Sequence, residues 1–553
     1  MDQIASTSTG KAPIESNIKE TIEAILVAFM LAFIFRAFIV EAFVIPTGSM
    51  APTLLGAHMR FRCPDCGYRF DVNFAAIDRG GDDMEIPSSA GPGRVFAIYC
   101  PNCGYHLPRE TPEDPDNDTT NPAVRYGDRI LVLKFLYLFQ EPKRWDVVVF
   151  KSPYDPGHYD YTQNYIKRLV GKPGESVMVL DGDVYIRKEG ESKFEVQTKP
   201  AKVQEALWRI VSDNDFQPRG LPRTVTSQSG RITDTDPPWE QPWKMPAGQD
   251  GWDLGHDPYS RREFKFSNLN GNATLEYDDK ANPRKFSFTD WLAYDVTEDQ
   301  GGELDTYRRM PAEPVNKVSD VKLEFYYQRS AGDGPLNLEL KKLETTFSAR
   351  IEAHQATLLM DGQPIVGPKP IKASPAQHHV EFSNVDYRVS LSIDDEEILA
   401  TTPDQYAPNI PQLLEASRTN KRNPKPEVRI IASRQQSSLT HIRLWRDIYY
   451  LNRERGSQTF TQWGTPVGYP NVPTQLGKDE FFVMGDNSYV SLDARYWRDP
   501  IDLPHEELQV QAGRVPRRFM LGKAFFVYWP AGFRPIDSAP ALVPDVGDMR
   551  FIH

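Results

Sequence analysis

Apolar residues run unbroken from Ala24 to Phe35, "AILVAFMLAFIF". Twelve residues at about 1.5 Å each do not span a hydrocarbon core of about 30 Å. Extending the segment to residues 21–40 gives the length and admits only Glu23 and Arg36. Both lie near the ends, where long side chains reach the interface. The pattern predicts a transmembrane helix over 21–40, after a tail of residues 1–20. A cleaved leader would start basic, whereas Glu15, Glu20 and Glu23 compete here with Lys11 and Lys19, and no small-x-small site follows closely. These charges do not orient the helix. Pro46, Gly48 and Pro52 then break any helical continuation.

From Asp128 the pattern turns to β-branched and aromatic runs bounded by Gly, Pro and Asp: "RILVLKFLYLF", "WDVVVFKSP" and "YIKRLVGKPGESVMVLDGDVYIR". These read as strands. Residues of roughly 190–275 are less regular and rich in Pro, Gly and Trp. Trp239, Trp243 and Trp252 read as packing residues that pin a long loop to a β-surface. Alternation returns over roughly 275–455, as in Val321, Leu323 and Phe325, in Val389, Leu391 and Ile393, and in Ile442 and Leu444. Several short strands with turns between them predict a β-sandwich-like domain. "EFFVMGDNSYVSLDARYW" and "LGKAFFVYWP" resume the style of residues 128–186. The predicted fold is mainly β.

The 553 residues leave room for several domains, and 40% hydrophobic with 25% charged residues fits a globular chain. A net charge of −12 with no long basic run argues against a nucleic-acid partner. All four cysteines lie between positions 63 and 103, which marks one local site. Cys63-Pro-Asp-Cys66-Gly and Cys100-Pro-Asn-Cys103-Gly are paired C-x-x-C knuckles, the pattern of a zinc ribbon with four thiolate ligands. The 34 positions between Cys66 and Cys100 exceed the usual spacing of roughly 15–20. Two disulfides are the alternative, since an oxidising compartment would permit them. Four thiolates leave no open metal position, so the expected zinc is structural and catalysis needs no cofactor.

Ser49 lies in "IPTGSMAPTL", just past the apolar segment. A serine hydroxyl is a weak nucleophile until a base takes its proton. None of the ten histidines sits in a hydrolase motif, and G-x-S-x-G is absent. Lys167, flanked by Ile166 and Leu169 in a strand-like apolar run, is a candidate base if burial keeps it neutral.

"IPTGSMAPTL", "GDRILVLKF", "RWDVVVFKSP…YIKRLVGKPGE" and "VMGDNSYVSLDARYW" follow one another after an apolar anchor. In these blocks and their order the chain resembles bacterial type I signal peptidases, over some 35 to 40% of its length. The resemblance implies a membrane-bound serine endopeptidase that removes signal peptides from exported preproteins. It implies a single-pass protein of the bacterial plasma membrane, its N-terminus cytoplasmic and its catalytic domain extracytoplasmic, with signal peptides and membrane lipid as partners.

Carried over by position, Ser49 matches the nucleophile and Lys167 the general base. The Ser49 N–H and the Thr47 hydroxyl match the oxyanion-hole donors, although Ser is common at the latter position. Ser491 matches a serine that orients the lysine, and Asp493 and Arg495 a charge pair that braces its loop. Gly485, Asp486 and Asn487 match the start of that block. Ile45 and Ile166 match residues lining the pocket for small substrate side chains, and Gly48 would let the scissile peptide approach. The block departs from the family at Ser488–Ser491, at Ala494 where Ser is common, and at Arg498 where Gly is common.

The implied organisation is a peptidase core of 41–58, 126–190 and 456–553. A zinc-ribbon insertion (59–125) and a larger insertion (191–455), β-sandwich-like in its later part, interrupt it. The later part of the larger insertion loosely resembles concanavalin-like or laminin-G-like domains, a likeness that carries no site. A membrane-anchored binding protein with a relic peptidase core would be expected to lack Ser49 or Lys167, and both are present.

Overall fold

The computed structural model describes residues 14–553 except 75–76, 79–83, 88, 90–94, 97, 108–121, 154–162, 223, 227–231, 236, 283–285, 296–297, 300–315, 373–375, 420, 422, 452–472, 498–499, 504–507 and 533–542. Most of the expected tail, the opening of the last core segment and Arg498 lie outside the described residues.

The apolar segment forms a helix, α1 (Ile14–Ile34), with exposed Ile22, Leu26, Phe29, Met30 and Phe33. It differs from the expected 21–40 at its far end. Phe35–Ile39 is a π-helical turn, and Val40 already begins a strand. Strand pairing takes over there: Lys134 N–H donates to Ile39 O, and Val40 lies opposite Leu133. Among the described residues no helix is long and apolar enough to cross a membrane.

An eight-stranded antiparallel sheet carries the serine and lysine blocks. Along the chain its strands are β1 (Val40–Val44), β2 (Arg129–Leu133), β3 (Val147–Lys151), β4 (Asn164–Gly171), β5 (Glu480–Met484), β6 (Val515–Pro516), β7 (Met520–Trp529) and β8 (Arg550–Phe551). Their order is β1-β2-β7-β3-β4-β5-β6, with β8 against β7. The expected strand "RILVLKFLYLF" stops at Leu133 and continues as a short helix, Leu136–Phe139. The sheet curls, so β4 reaches the turn that follows β1 although three strands separate them in the order. Ile45, Met50, Leu54, Ile130, Val132, Val147 and Val149 form the buried cluster between them, with Ile166 packed against it.

The cysteine region builds a three-stranded sheet of His58–Arg62, Arg69–Asn73 and Val124–Arg125. A thirteen-stranded antiparallel sheet follows, ordered largely around the 20-residue strand Glu427–Arg446. One core serves it, including Phe264, Leu323, Phe325, Leu391, Ile430 and Leu444. Trp243 and Trp252 belong to that core, while Trp239 packs against the cysteine region.

Candidate active site

Ser49 sits in a single 3-10 turn, Gly48–Met50, directly after β1. Two fixtures set that turn. Ala57 N–H returns to Pro46 O, and Asp128 accepts Leu55 N–H at 3.0 Å while pairing with Arg550 at 2.8 Å. Thr47 precedes the turn in extended conformation, and its side chain makes no capping bond.

Lys167 and Arg168 are neighbours on β4, where successive side chains point to opposite faces. Lys167 Nζ lies 2.8 Å from Ser49 Oγ and 3.0 Å from its own neighbour's carbonyl, Ile166 O. Lys167 is 5% exposed and Ser49 8%. Burial pushes the Lys167 amine down to about 8; Asp493 and Asp486 pull it upward and Arg495 adds to the fall. Desolvation wins because neither carboxylate contacts the amine directly.

Arg168, on the other face, is fully buried. It makes a two-pronged pair with Asp486 at 2.7 Å for each bond and donates to Trp145 O. Such paired N–H···O bonds fix orientation as well as charge. Sequence reasoning passed over Arg168. A charged residue in an apolar strand run, one step from the candidate base, was the signal available.

The Gly485–Arg495 block follows β5, and the pairing of Arg168 with Met484 brings it beside Lys167. Asn487 N–H donates to Ser49 O at 3.0 Å. A Cβ on Gly485 would lie 2.4 Å from Ser49 O and 2.2 Å from Ser491 Oγ, so only glycine fits. Asp493 accepts Gly485 N–H at 2.9 Å and pairs with Arg495 at 2.7 and 2.8 Å. Arg495 also holds Leu451 O and the Ser488 hydroxyl. Ser488, which departs from the family pattern, is therefore part of the bracing. Ser491 Oγ is buried beside Ser49 O without a hydrogen bond among the described residues; the lysine's second contact goes to Ile166 O.

Gly48 is required by the packing of the fold as well. A Cβ there would lie 2.7 Å from the Tyr294 ring and 2.8 Å from Asn73 Oδ1. The missing side chain makes room for these two residues, which lie far apart in the chain. Ile45 is buried and Ile166 half-buried, and they share one apolar cluster.

The four cysteines meet in a buried group whose Sγ atoms all lie within 4.8 Å of one another. Cys63–Cys103 and Cys66–Cys100 stand at 3.7 and 3.6 Å, well beyond a disulfide bond of about 2.05 Å, and no disulfide joins the four. Both knuckles have the same form. Gly67 and Gly104 take positive φ and donate back to Cys63 O and Cys100 O. Asp65 and Asn102, at matching knuckle positions, grip one segment, residues 213–221. Asp65 Oδ1 accepts the N–H groups of Arg219, Gly220 and Leu221, and Asn102 bonds Asp213 and Phe216.

A serine at the end of an edge strand, contacted by a buried strand lysine, has the makings of a serine peptidase site. The sequence matches the family Signal peptidase, peptidase S26, over residues 18–73, 115–249 and 416–529, more than half of the chain, and the chain belongs to that family. It is 24% identical over 192 residues to Signal peptidase I of Rickettsia massiliae (strain Mtu5), covering 35% of this chain and 52% of that protein. It is 38% identical over 71 residues to Probable signal peptidase I-1 of Synechocystis sp. (strain ATCC 27184 / PCC 6803 / Kazusa), covering 12% of this chain and 36% of that protein. The chain spans about half the length, or less, of the curated relatives it matches. Among solved structures, the carbohydrate binding module CBM66 from Bacillus subtilis is 10% identical, covering 37% of this chain and 94% of that one with a TM-score of 0.19.

Proposed function

We propose that this protein is a membrane-bound serine endopeptidase that removes signal peptides from exported preproteins with a Ser49/Lys167 dyad. The observation that carries the reading is the 2.8 Å contact between a lysine amine that burial pushes down to about 8 and the hydroxyl of a serine on a tight turn. Neutral Lys167 takes the Ser49 proton as Oγ attacks the scissile carbonyl, then returns it to the departing amine. The Ser49 N–H and the Thr47 hydroxyl hold the oxyanion. Water then releases the acyl group by the same proton path. Asp493, Arg495 and Ser488 brace the loop behind Ser49, and Ser491 is read as steering the amine during the reaction. Ile45 and Ile166 line shallow pockets that select small residues before the cleaved bond.

In this reading the apolar stretch of residues 21–40, which runs on past the end of the helix Ile14–Ile34, anchors the protein in the bacterial plasma membrane. The tail is cytoplasmic and the catalytic sheet extracytoplasmic, close to lipid and to the substrate's own apolar segment. The four-thiol group fits a structural zinc ion, with Cys63, Cys66, Cys100 and Cys103 as its ligands. Four buried sulfurs within reach of one another, on two like knuckles, form the donor set such an ion takes. Bound there, it would supply folding energy and no chemistry. The insertions of 59–125 and 191–455 are read as a zinc ribbon and a β-sandwich-like domain.

The test is processing of a preprotein by the full chain in detergent. Wild type should cut after a small residue and Ser49→Ala should not. Equal cutting by Ser49→Ala would overturn the reading.

A further inference from the structure

The larger insertion reaches the serine through one short turn, Trp291–Asp295. Four parts of the molecule meet on it. Arg446, at the end of the long central strand, donates to Trp291 O at 2.7 Å. Asp295 N–H closes the turn on Leu292 O at 3.0 Å. Asn73, from the cysteine region, donates its N–H to Tyr294 O at 2.7 Å. Leu292 and Tyr294 pack with Ala51 and Leu55 on the far side of the serine turn, and the Tyr294 ring fills the space left by Gly48.

The last contact leads to the reaction centre. Asn487 Nδ2 donates to Asp295 Oδ1 at 2.6 Å, and the N–H of the same Asn487 donates to Ser49 O at 3.0 Å. Asp295 and Asn487 are both buried. A carboxylate in a water-poor site grips an amide more strongly than it would in water. Fixing the Asn487 side chain fixes the residue whose backbone sets the Ser49 carbonyl, and so the peptide plane from which Oγ projects. Tyr294 presses on the same turn from the other side.

We infer that Asp295, in the larger insertion, is a positioning residue of the peptidase site, acting through Asn487 to hold Ser49 in line with Lys167. This rests on Ser49 and Lys167 being the dyad. The insertion then forms part of the catalytic apparatus, and removing it would take away both the Asp295 hold on Asn487 and the Tyr294 ring against Gly48. Misplacement of a reacting group by about 1 Å costs on the order of a hundredfold in rate.

The experiment measures kcat and KM for one preprotein with the full chain in detergent, with Tm recorded for each variant. Asp295→Ala should lower kcat about ten- to a hundredfold with KM nearly unchanged. Asp295→Asn keeps an oxygen that accepts the Asn487 bond and should recover most of the loss. The double variant Asp295→Ala/Asn487→Ala should be no slower than the slower single variant, because both remove one contact. If Asp295→Ala does not fold, Asn487→Asp sets two carboxylates against each other and should show the same selective loss of kcat. Wild-type kcat in Asp295→Ala, no recovery in Asp295→Asn, or additive losses would each overturn the proposal. Ser49→Ala, run alongside, separates the two failures: activity there breaks the dyad reading, whereas an inactive Ser49→Ala beside a fully active Asp295→Ala breaks this inference alone.

Discussion

Lys167 and Ser49, 118 positions apart in the chain, meet at 2.8 Å in a site from which both are largely shielded. The amine titrates at about 8 because burial outweighs the nearby carboxylates. Below that pH the lysine carries a proton and cannot accept one; above it the base is free. The expected kcat/KM therefore rises with pH, with a midpoint near 8. Lys167→Arg should be nearly as inactive as Lys167→Ala, since guanidinium stays protonated. Initial processing rates across pH for the three proteins check both statements. Substantial activity in Lys167→Arg would require another base.

Gly485 is the tightest point behind the nucleophile. Its Cβ would collide with Ser49 O, which is backbone, and with Ser491 Oγ. Gly485→Ala should cut kcat at least about a hundredfold, because the serine turn itself must shift. Ser491→Ala removes a hydroxyl that has no hydrogen bond among the described residues, so it should leave substantial activity. If the same assay found Ser491→Ala inactive, the hydroxyl would have to act on Lys167 during the reaction.

The four thiols predict one zinc per chain, measurable by elemental analysis of the purified protein. Cys63→Ser or Cys103→Ser should lose it. A structural metal contributes to folding directly, so these variants should melt earlier before any change in kcat. Asp65 and Asn102 add a local signature. Hydrogen exchange should quicken at Arg219–Leu221 and Asp213, whose amides the knuckles hold. Two disulfides and no metal in the purified protein would refute the prediction.

Local pattern carried the candidate site further than it carried the fold. Ser49, Lys167, Asp493 and Arg495 lie in short ordered blocks, and the four cysteines declare themselves by spacing. The strand Glu263–Tyr277 did not read as one. Its buried Phe264 and Phe266 fall out of step with Ala273, Leu275 and Tyr277, because the register shifts between Asn268 and Asn272. Alternation survives on each side of the bulge but not across it. Gly48 was legible as a glycine of the site, but its packing role was not. The ring that fills its place comes from Tyr294, 246 positions away, and no local pattern encodes that meeting. Asp295 escaped notice likewise, as one aspartate with no motif around it.

A second buried network joins the part of the chain that follows β4 to the larger sheet, and it yields a prediction about stability. Lys199 pairs with Asp386 and, at 2.8 Å, with Asp447; Lys342 pairs with Asp320, with Asp183 at 3.9 Å. Four buried carboxylates thus face two lysines. Burial pushes Asp386 up to about 6 from 3.8, with Lys199 pulling down and Asp447 and Asp320 pushing up. The folded chain therefore holds this proton at pH values where the unfolded chain has released it. The stability Asp386 contributes is complete below about pH 4 and is lost as pH rises through about 6. Asp386→Asn keeps the shape without the ionisation. Relative to wild type, its Tm should therefore gain ground between pH 4 and pH 7, by a few degrees if about 1 kcal/mol is at stake. Thermal melts of both proteins at several pH values in that window give the comparison. A Tm difference that stays flat, or that moves toward wild type as pH rises, would mean that Lys199 keeps Asp386 ionised throughout, and that the excess negative charge is relieved at one of the other three aspartates.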